Sequence, residues 1–257
     1  MKKLCALLLA LAMIVTLAAC GGPSDPEELI VFAAASMTET LTELGNQYMA
    51  ENENVTIVFN FDSSGTLKTQ IQEGADCDIF ISAGQRQMDE LDCILEGTRF
   101  DMLENKVALV VPKGNPAGIH SFEDMTAGLS DSTIMLAMGN ADVPAGQYTQ
   151  KILAHCGLNE SELAAAGSIT YSTNVKEIAT QVSEAAVDCG VIYQTDAFSA
   201  GLSVVDTATA EMCGQVIYPA AVLNTSEHAE AAQDFLEFLT SEAADAVFSH
   251  VGFTPVV

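Results

Sequence analysis

A chain of 257 residues that is 49% hydrophobic and 17% charged can bury a sizeable core and lacks the composition of a disordered protein. Its 35 acidic residues against 9 basic ones give a net charge of −26, which argues against nucleic acid or an anionic membrane surface as a partner held by a basic patch. The simplest meaning of that charge is a solvated acidic surface that keeps the protein soluble.

The chain begins with Met1-Lys2-Lys3, followed by an almost wholly apolar run from Leu4 to Leu17. That run is short for a membrane span of roughly 20 residues and has the order of a secretory signal. It ends in Leu17-Ala18-Ala19-Cys20, which resembles the lipobox of bacterial lipoproteins. The resemblance implies cleavage before Cys20, so that residues 1–19 are the signal peptide and the Cys20 thiol carries a diacylglyceryl group. Two or more acyl chains hold a protein stably to a membrane. Residues 20–28, rich in Gly and Pro, then form a tether, and the mature protein sits outside the cell membrane, anchored to it. Without the leader, 7 basic residues face 35 acidic ones, a balance of −28.

Beyond the tether, strand-like and helical patterns alternate. Strands are expected at Leu29–Ala35, Val55–Phe61, Asp78–Ser82, Val107–Val111, Thr133–Met138, Ser168–Tyr171, Gly190–Tyr193, Leu202–Val205 and Val216–Leu223. Helices are expected at Thr38–Glu51, Thr66–Glu73, Gln85–Leu95, Ala145–Cys156, Val175–Ala186 and Ser226–Phe238. Alternation of this kind implies α/β architecture with parallel sheet. Pro112-Lys113-Gly114-Asn115-Pro116 breaks the pattern and suggests a crossing between lobes, and Tyr218-Pro219-Ala220 suggests a return. Lobe 1 would then be residues 27–110 plus 219–257, and lobe 2 residues 111–218.

Several helix starts have the chemistry of anion sites, because first-turn N–H groups lack intrahelical partners and carry the positive end of the helix dipole. Ser36 and Glu39 have capping-box spacing. Ser64 reads as an N-cap, with Gly65 allowing close backbone approach. Pro144 suits a first helical position, leaving the Ala145 amide free to donate. Asn174 reads as a cap that frees the Val175 amide. Tyr193 ends a strand at the carboxyl edge where ligands of open α/β sheets gather. Taken singly, each feature is also ordinary structure. The cysteines Cys77, Cys93, Cys156, Cys189 and Cys213 form no CxxC pair and are odd in number, so mostly free buried thiols are expected, with one disulfide possible. The four histidines have no metal-ligand spacing, and no metal site is expected.

In combination, these segments resemble the molybdate-binding proteins of ABC importers. The resemblance rests on Phe32-Ala33-Ala34-Ala35-Ser36, Ser63-Ser64-Gly65-Thr66-Leu67 with Gln70-Ile71, and Ala75-Asp76-Cys77-Asp78-Ile79-Phe80-Ile81-Ser82-Ala83. Val143-Pro144-Ala145-Gly146-Gln147-Tyr148 and Gly190-Val191-Ile192-Tyr193 complete it, with Tyr218-Pro219-Ala220 and Gly252-Phe253-Thr254 also similar. It spans residues 29–254. It implies a two-lobed, type II periplasmic-binding-protein-like fold, each lobe a mixed, mainly parallel sheet flanked by helices, with the ligand cleft between lobes. It further implies molybdate or tungstate as ligand, no cofactor, a monomeric state, and an ABC importer permease and ATPase as partners. The family's ligand contacts fall on Ser36, Ser64, Ala145, Val175 and Tyr193. Gly65, where some relatives carry serine, departs from the commonest pattern and is expected to loosen the second loop. Two rivals remain. One is a binding protein for another tetrahedral oxyanion, such as sulfate or phosphate. The other is an extracellular hydrolase using Ser36 or Ser64, although neither lies in a Gly-x-Ser-x-Gly elbow.

Overall fold

The computed structural model describes residues 27–256; the signal peptide, Cys20 and most of the tether lie outside the described residues. Two mixed sheets, each covered by helices, make up the molecule. The first runs in the order β11-β4-β10-β3-β1-β2 and the second β7-β6-β8-β5-β9. In chain order the strands are β1 Glu27–Ala34, β2 Val55–Asp62, β3 Ile79–Ile81, β4 Phe100–Asn105, β5 Val107–Val111, β6 Leu136–Gly139, β7 Ile169–Ser172, β8 Cys189–Tyr193, β9 Ser203–Thr207, β10 Val216–Val222 and β11 Thr254–Pro255. The helices are α1 Thr38–Glu51, α2 Ser64–Gln72, α3 Gln85–Asp89, α4 Phe122–Ser130, α5 Pro144–His155, α6 Glu160–Ala165, α7 Val175–Ser183, α8 Gln194–Ala200, α9 Ala210–Cys213, α10 Ala229–Phe238 and α11 Glu242–Val251. A 3-10 turn, Ala35–Met37, joins β1 to α1.

Burial follows periodicity. Along β1, Leu29, Val31 and Ala33 face the main core, while Phe32 faces a smaller cluster with Leu67, Ile71, Phe80 and Leu223. A strand packed on both faces reads as a continuous apolar run. On α7, Val175, Ile178, Ala179 and Val182 are buried at spacings of three and four, one stripe of a 3.6-residue helix. Gly45 on α1 is required by space: a Cβ there would lie 2.6 Å from the Phe59 ring.

β1 is parallel to β2 and β3, and β6 is parallel to β7 and β8. The antiparallel share is larger than expected. β10 runs against β3 and β4, β11 runs against β4, and β5 runs against β8 and β9. The reason is the crossing itself, since the strand that enters each sheet from the other, β10 in the first and β5 in the second, runs opposite to those of its βα units.

The crossings also fall earlier than expected. β4 ends at Asn105 in the first sheet and β5 begins at Val107 in the second, so the chain changes sheet at Lys106 and not at Pro112–Pro116. That proline-flanked segment is a turn within the second lobe, in which Gly114 and Asn115 take positive φ and the Asn115 side chain is bonded to both backbone groups of Ile119. The return comes between Cys213 and Val216. Tyr218 and Pro219 lie inside β10, where a register shift against β4 accommodates a residue with no N–H to give. The sheets thus divide the described chain into residues 27–105 with 216–256, and 107–213.

Pattern reading missed β4, β11 and the helices α4, α6, α8, α9 and α11. α3 ends at Asp89, well short of Leu95. Cys77, Cys189 and Cys213 are buried free thiols; Cys93 and Cys156 are free and half-buried.

Candidate functional site

Ser36 lies in the 3-10 turn after β1, Ser64 is the first residue of α2, Ala145 the second of α5, Val175 the first of α7, and Tyr193 the last of β8. The fold brings all five to one small pocket between the lobes, with a cavity volume of about 10 Å³. Ala34, Ala35, Asp62, Ser63, Ala83, Val143 and Pro144 complete its lining. Each of the five is buried. No lysine, arginine or histidine lines the pocket.

The local chemistry of the helix starts differs from expectation at two of them. Ser36 and Glu39 form no capping box. The Ser36 hydroxyl is 2.9 Å from the Tyr218 hydroxyl, and Glu39 reaches across to the other lobe. At α2 the cap is Ser63, whose Oγ accepts from the Thr66 N–H at 3.2 Å. Ser64 is therefore released from capping, and its Oγ accepts from the Ala83 N–H at 2.9 Å. The other two starts match: Pro144 is at the first position of α5, and the Asn174 side chain caps α7 through the Glu177 N–H. Asp62, the carboxylate in the lining, accepts from the Ser63 N–H at 2.7 Å.

Tyr193 stands edge-to-face with Tyr148 and Tyr218, at centroid distances of 6.4 and 5.6 Å. Its hydroxyl makes a long 3.4 Å bond to the Ala83 carbonyl. Complete burial, first of all, holds the phenol well above its usual range, so it stays a neutral donor.

The lobes meet closely around this pocket. A Cβ on Gly65 would lie 2.1 Å from the Asp142 carbonyl oxygen on the opposite lobe. Gly65 thus permits close approach of the two lobes, in line with the close backbone approach expected of it. Beside it, Lys176 Nζ contacts both Glu39 carboxylate oxygens at 2.8 and 2.9 Å, linking α7 to α1. Lys176 also lies 3.4 Å from Asp196, but misaligned, and neither Asp196 oxygen has a hydrogen-bond partner. Burial raises the Asp196 carboxyl to about 7, opposed by the positive Lys176.

Sequence reasoning also missed Tyr218, Asn105 and Thr195, which form a buried hydrogen-bonded chain behind Ser36. Tyr218 was visible as a suspected crossing and within a segment similar to the family, but not as part of the site. Asn105 carried no signal, since its role comes from standing at the change of sheet. Among the described residues no group of three or more His, Cys, Asp or Glu is placed to hold a metal ion.

A two-lobed fold with a small, donor-lined pocket in its cleft defines the class: a protein built to close on a small ligand. The chain belongs to the bacterial extracellular solute-binding proteins, whose family profile matches residues 29–254. It is 31% identical over 98% of both chains to YvgL of Bacillus subtilis, provisionally named an ABC transporter substrate-binding lipoprotein. It is 33% identical to the molybdate-binding protein ModA of Haemophilus influenzae, over 88% of this chain and 90% of that one. The solved periplasmic molybdate-binding protein of Azotobacter vinelandii shares its fold, with a TM-score of 0.76 at 22% identity over 88% of this chain and 98% of that one.

The Asp196 environment carries a pH prediction. A carboxyl raised from 3.8 to about 7 in the folded state favours folding when protonated and opposes it when ionised. The opposition is absent well below the unfolded value and complete above about 7. Asp196→Asn should therefore raise the melting temperature by about 2 °C or more near pH 8 and much less near pH 4. Equal shifts at both, followed by calorimetry, would count against this charge state.

Proposed function

We propose that this protein captures molybdate, with tungstate an equally good fit, outside the cytoplasmic membrane and delivers it to an ABC importer permease and its ATPase. One observation carries the reading: Ser36, Ser64, Ala145, Val175 and Tyr193 converge on a pocket with no cationic side chain. A tetrahedral dianion entering a closed cleft loses its water, and every lost hydrogen bond must be replaced. Two hydroxyls, a phenol and first-turn amides of three helices supply donors only. The helix ends add positive potential, up to roughly half a unit charge each. The relatives named for molybdate binding support the same ligand. Size separates it from sulfate, since a smaller anion leaves donors stretched and each unmade buried bond costs about 1–3 kcal/mol.

The hydrolase alternative loses support from the same pocket. The Ser36 oxygen faces Tyr218, the Ser64 oxygen is held by the Ala83 amide, and no histidine lines the site to act as base. The anchor at Cys20 rests on the lipobox resemblance and on the name of the Bacillus subtilis relative.

Calorimetry of the lipid-free protein against molybdate, tungstate, sulfate and phosphate tests the ligand. Molybdate and tungstate should bind tightest, and a preference for sulfate or phosphate would transfer the site to another oxyanion. Ser36→Ala and Tyr193→Phe should each weaken the preferred ligand about tenfold. Gly65→Ser should weaken it at least as much, because the side chain collides with Asp142 before the lobes can meet. Full affinity in that variant would mean that the Asp142 loop yields. Labelled palmitate fed to an expressing bacterium should enter the parent and not Cys20→Ala; label in both would move or remove the anchor.

A further inference from the structure

The hydroxyls that face the ligand each have a fixed neighbour behind them, and the direction of those bonds can be worked out. Asn105 ends β4 at the change of sheet. The Lys106 N–H donates to its Oδ1 at 2.8 Å, which fixes the amide orientation and turns Nδ2 the other way. That Nδ2 donates to Thr195 Oγ1 at 2.9 Å and to the Tyr218 phenol oxygen at 3.2 Å. Tyr218 is fully buried, and its burial keeps the phenol protonated. Its oxygen is already receiving a hydrogen from Asn105, so its own hydrogen goes to the neighbour left, Ser36 Oγ at 2.9 Å. Ser36 then accepts from behind and has its hydrogen free for the pocket. Ser64 is arranged alike, accepting from the Ala83 N–H and keeping its hydrogen for the site.

We propose that Tyr218 and Asn105 are positioning residues that lock Ser36 as a hydrogen-bond donor, so that the pocket rejects oxyanions which retain a proton. The inference rests on the oxyanion reading above and adds the device that sets its selectivity. A free serine hydroxyl turns to accept as readily as to donate, and an accepting serine would welcome the hydrogen of hydrogen phosphate. A serine that already accepts from behind keeps one lone pair, but its own hydrogen has no other acceptor and goes to the ligand oxygen, taking the place that a ligand hydrogen would need. Sulfate and hydrogen phosphate are close in size and differ in that proton, so their ratio reports the donor sense and not the pocket's dimensions. The chain also ties the ligand hydroxyl to the crossing residue and, through Thr195, to α8 of the second lobe.

The test is a double-mutant cycle of Ser36→Ala and Tyr218→Phe, read by calorimetry with whichever of the four oxyanions binds the parent tightest. Alone, Tyr218→Phe should weaken binding about tenfold; in the Ser36→Ala background its further effect should be about twofold or less. Displacement titrations should also show the preference for sulfate over hydrogen phosphate narrowing about tenfold in Tyr218→Phe. Losses that multiply in the double variant, or an unchanged sulfate-to-phosphate ratio, would overturn the proposal. Asn105→Ala, which leaves the tyrosine in place, carries the same two expectations if Tyr218→Phe fails to fold. A parent that binds none of the oxyanions would defeat both the function and this device. A parent that binds one while the cycle is additive defeats the device alone.

Discussion

The arrangement depends on one constraint: a buried anion site built without a cation must gather its positive potential from the backbone. Each helix start offers a few unpaired N–H groups and a partial charge, and neither alone holds a dianion in a closed cleft. Three helix starts and a strand end must therefore meet at one point. That requirement accounts for the two-sheet plan. Turns after β1 and β2 bring Ser36 and Ser64 from one lobe, while α5, α7 and β8 bring Ala145, Val175 and Tyr193 from the other. Neither lobe holds the whole donor set.

Convergence places demands on the residues around it. The lobes can meet only if nothing projects between them, and Gly65 against the Asp142 carbonyl is one such point. The pocket's hydroxyls must be held by groups that do not compete with the ligand. The Ala83 amide does this for Ser64, and the buried phenol of Tyr218 does it for Ser36. Asp62, the carboxylate beside an anion site, is turned to its own neighbour's amide. Lys176, adjacent in sequence to the pocket residue Val175, engages Glu39, half-exposed, where screening limits its worth. The cation is thus kept for joining lobes and out of the pocket.

Much of this was legible in the sequence. The alternation of apolar runs pointed to most strands and to helices α1, α2, α3, α5, α7 and α10, and all five candidate residues came from local signals combined with the family resemblance. What the sequence hid has physical causes. The capping box at Ser36 was plausible by spacing, but a 3-10 turn intervenes and Glu39 finds a stronger partner in Lys176, 137 positions away. Ser63 and Ser64 are equivalent in composition, and only the geometry of the turn decides which one caps α2. The crossings were sought at prolines. They occur instead at Lys106, which carries no turn signal, and just before Val216, where Gly214 takes a positive φ, while the prolines serve a turn and a bulge. Asn105, Thr195 and Tyr218 meet only through tertiary contact.

The acidic surface and the anion site are compatible because they act at different ranges. Exposed carboxylates are screened over about 8–10 Å at ordinary salt, whereas the proposed donors would meet an anion at hydrogen-bond distance in a cleft shielded from water. Removing the water raises the strength of those oriented bonds and also the cost of leaving one unmade. The same low-dielectric interior that rewards a complete donor set penalises Asp196, whose two oxygens lack hydrogen bonds and whose carboxyl is pushed up to about 7. Burial is therefore what makes neutral donors sufficient, and it leaves little tolerance for a group whose hydrogen points the wrong way.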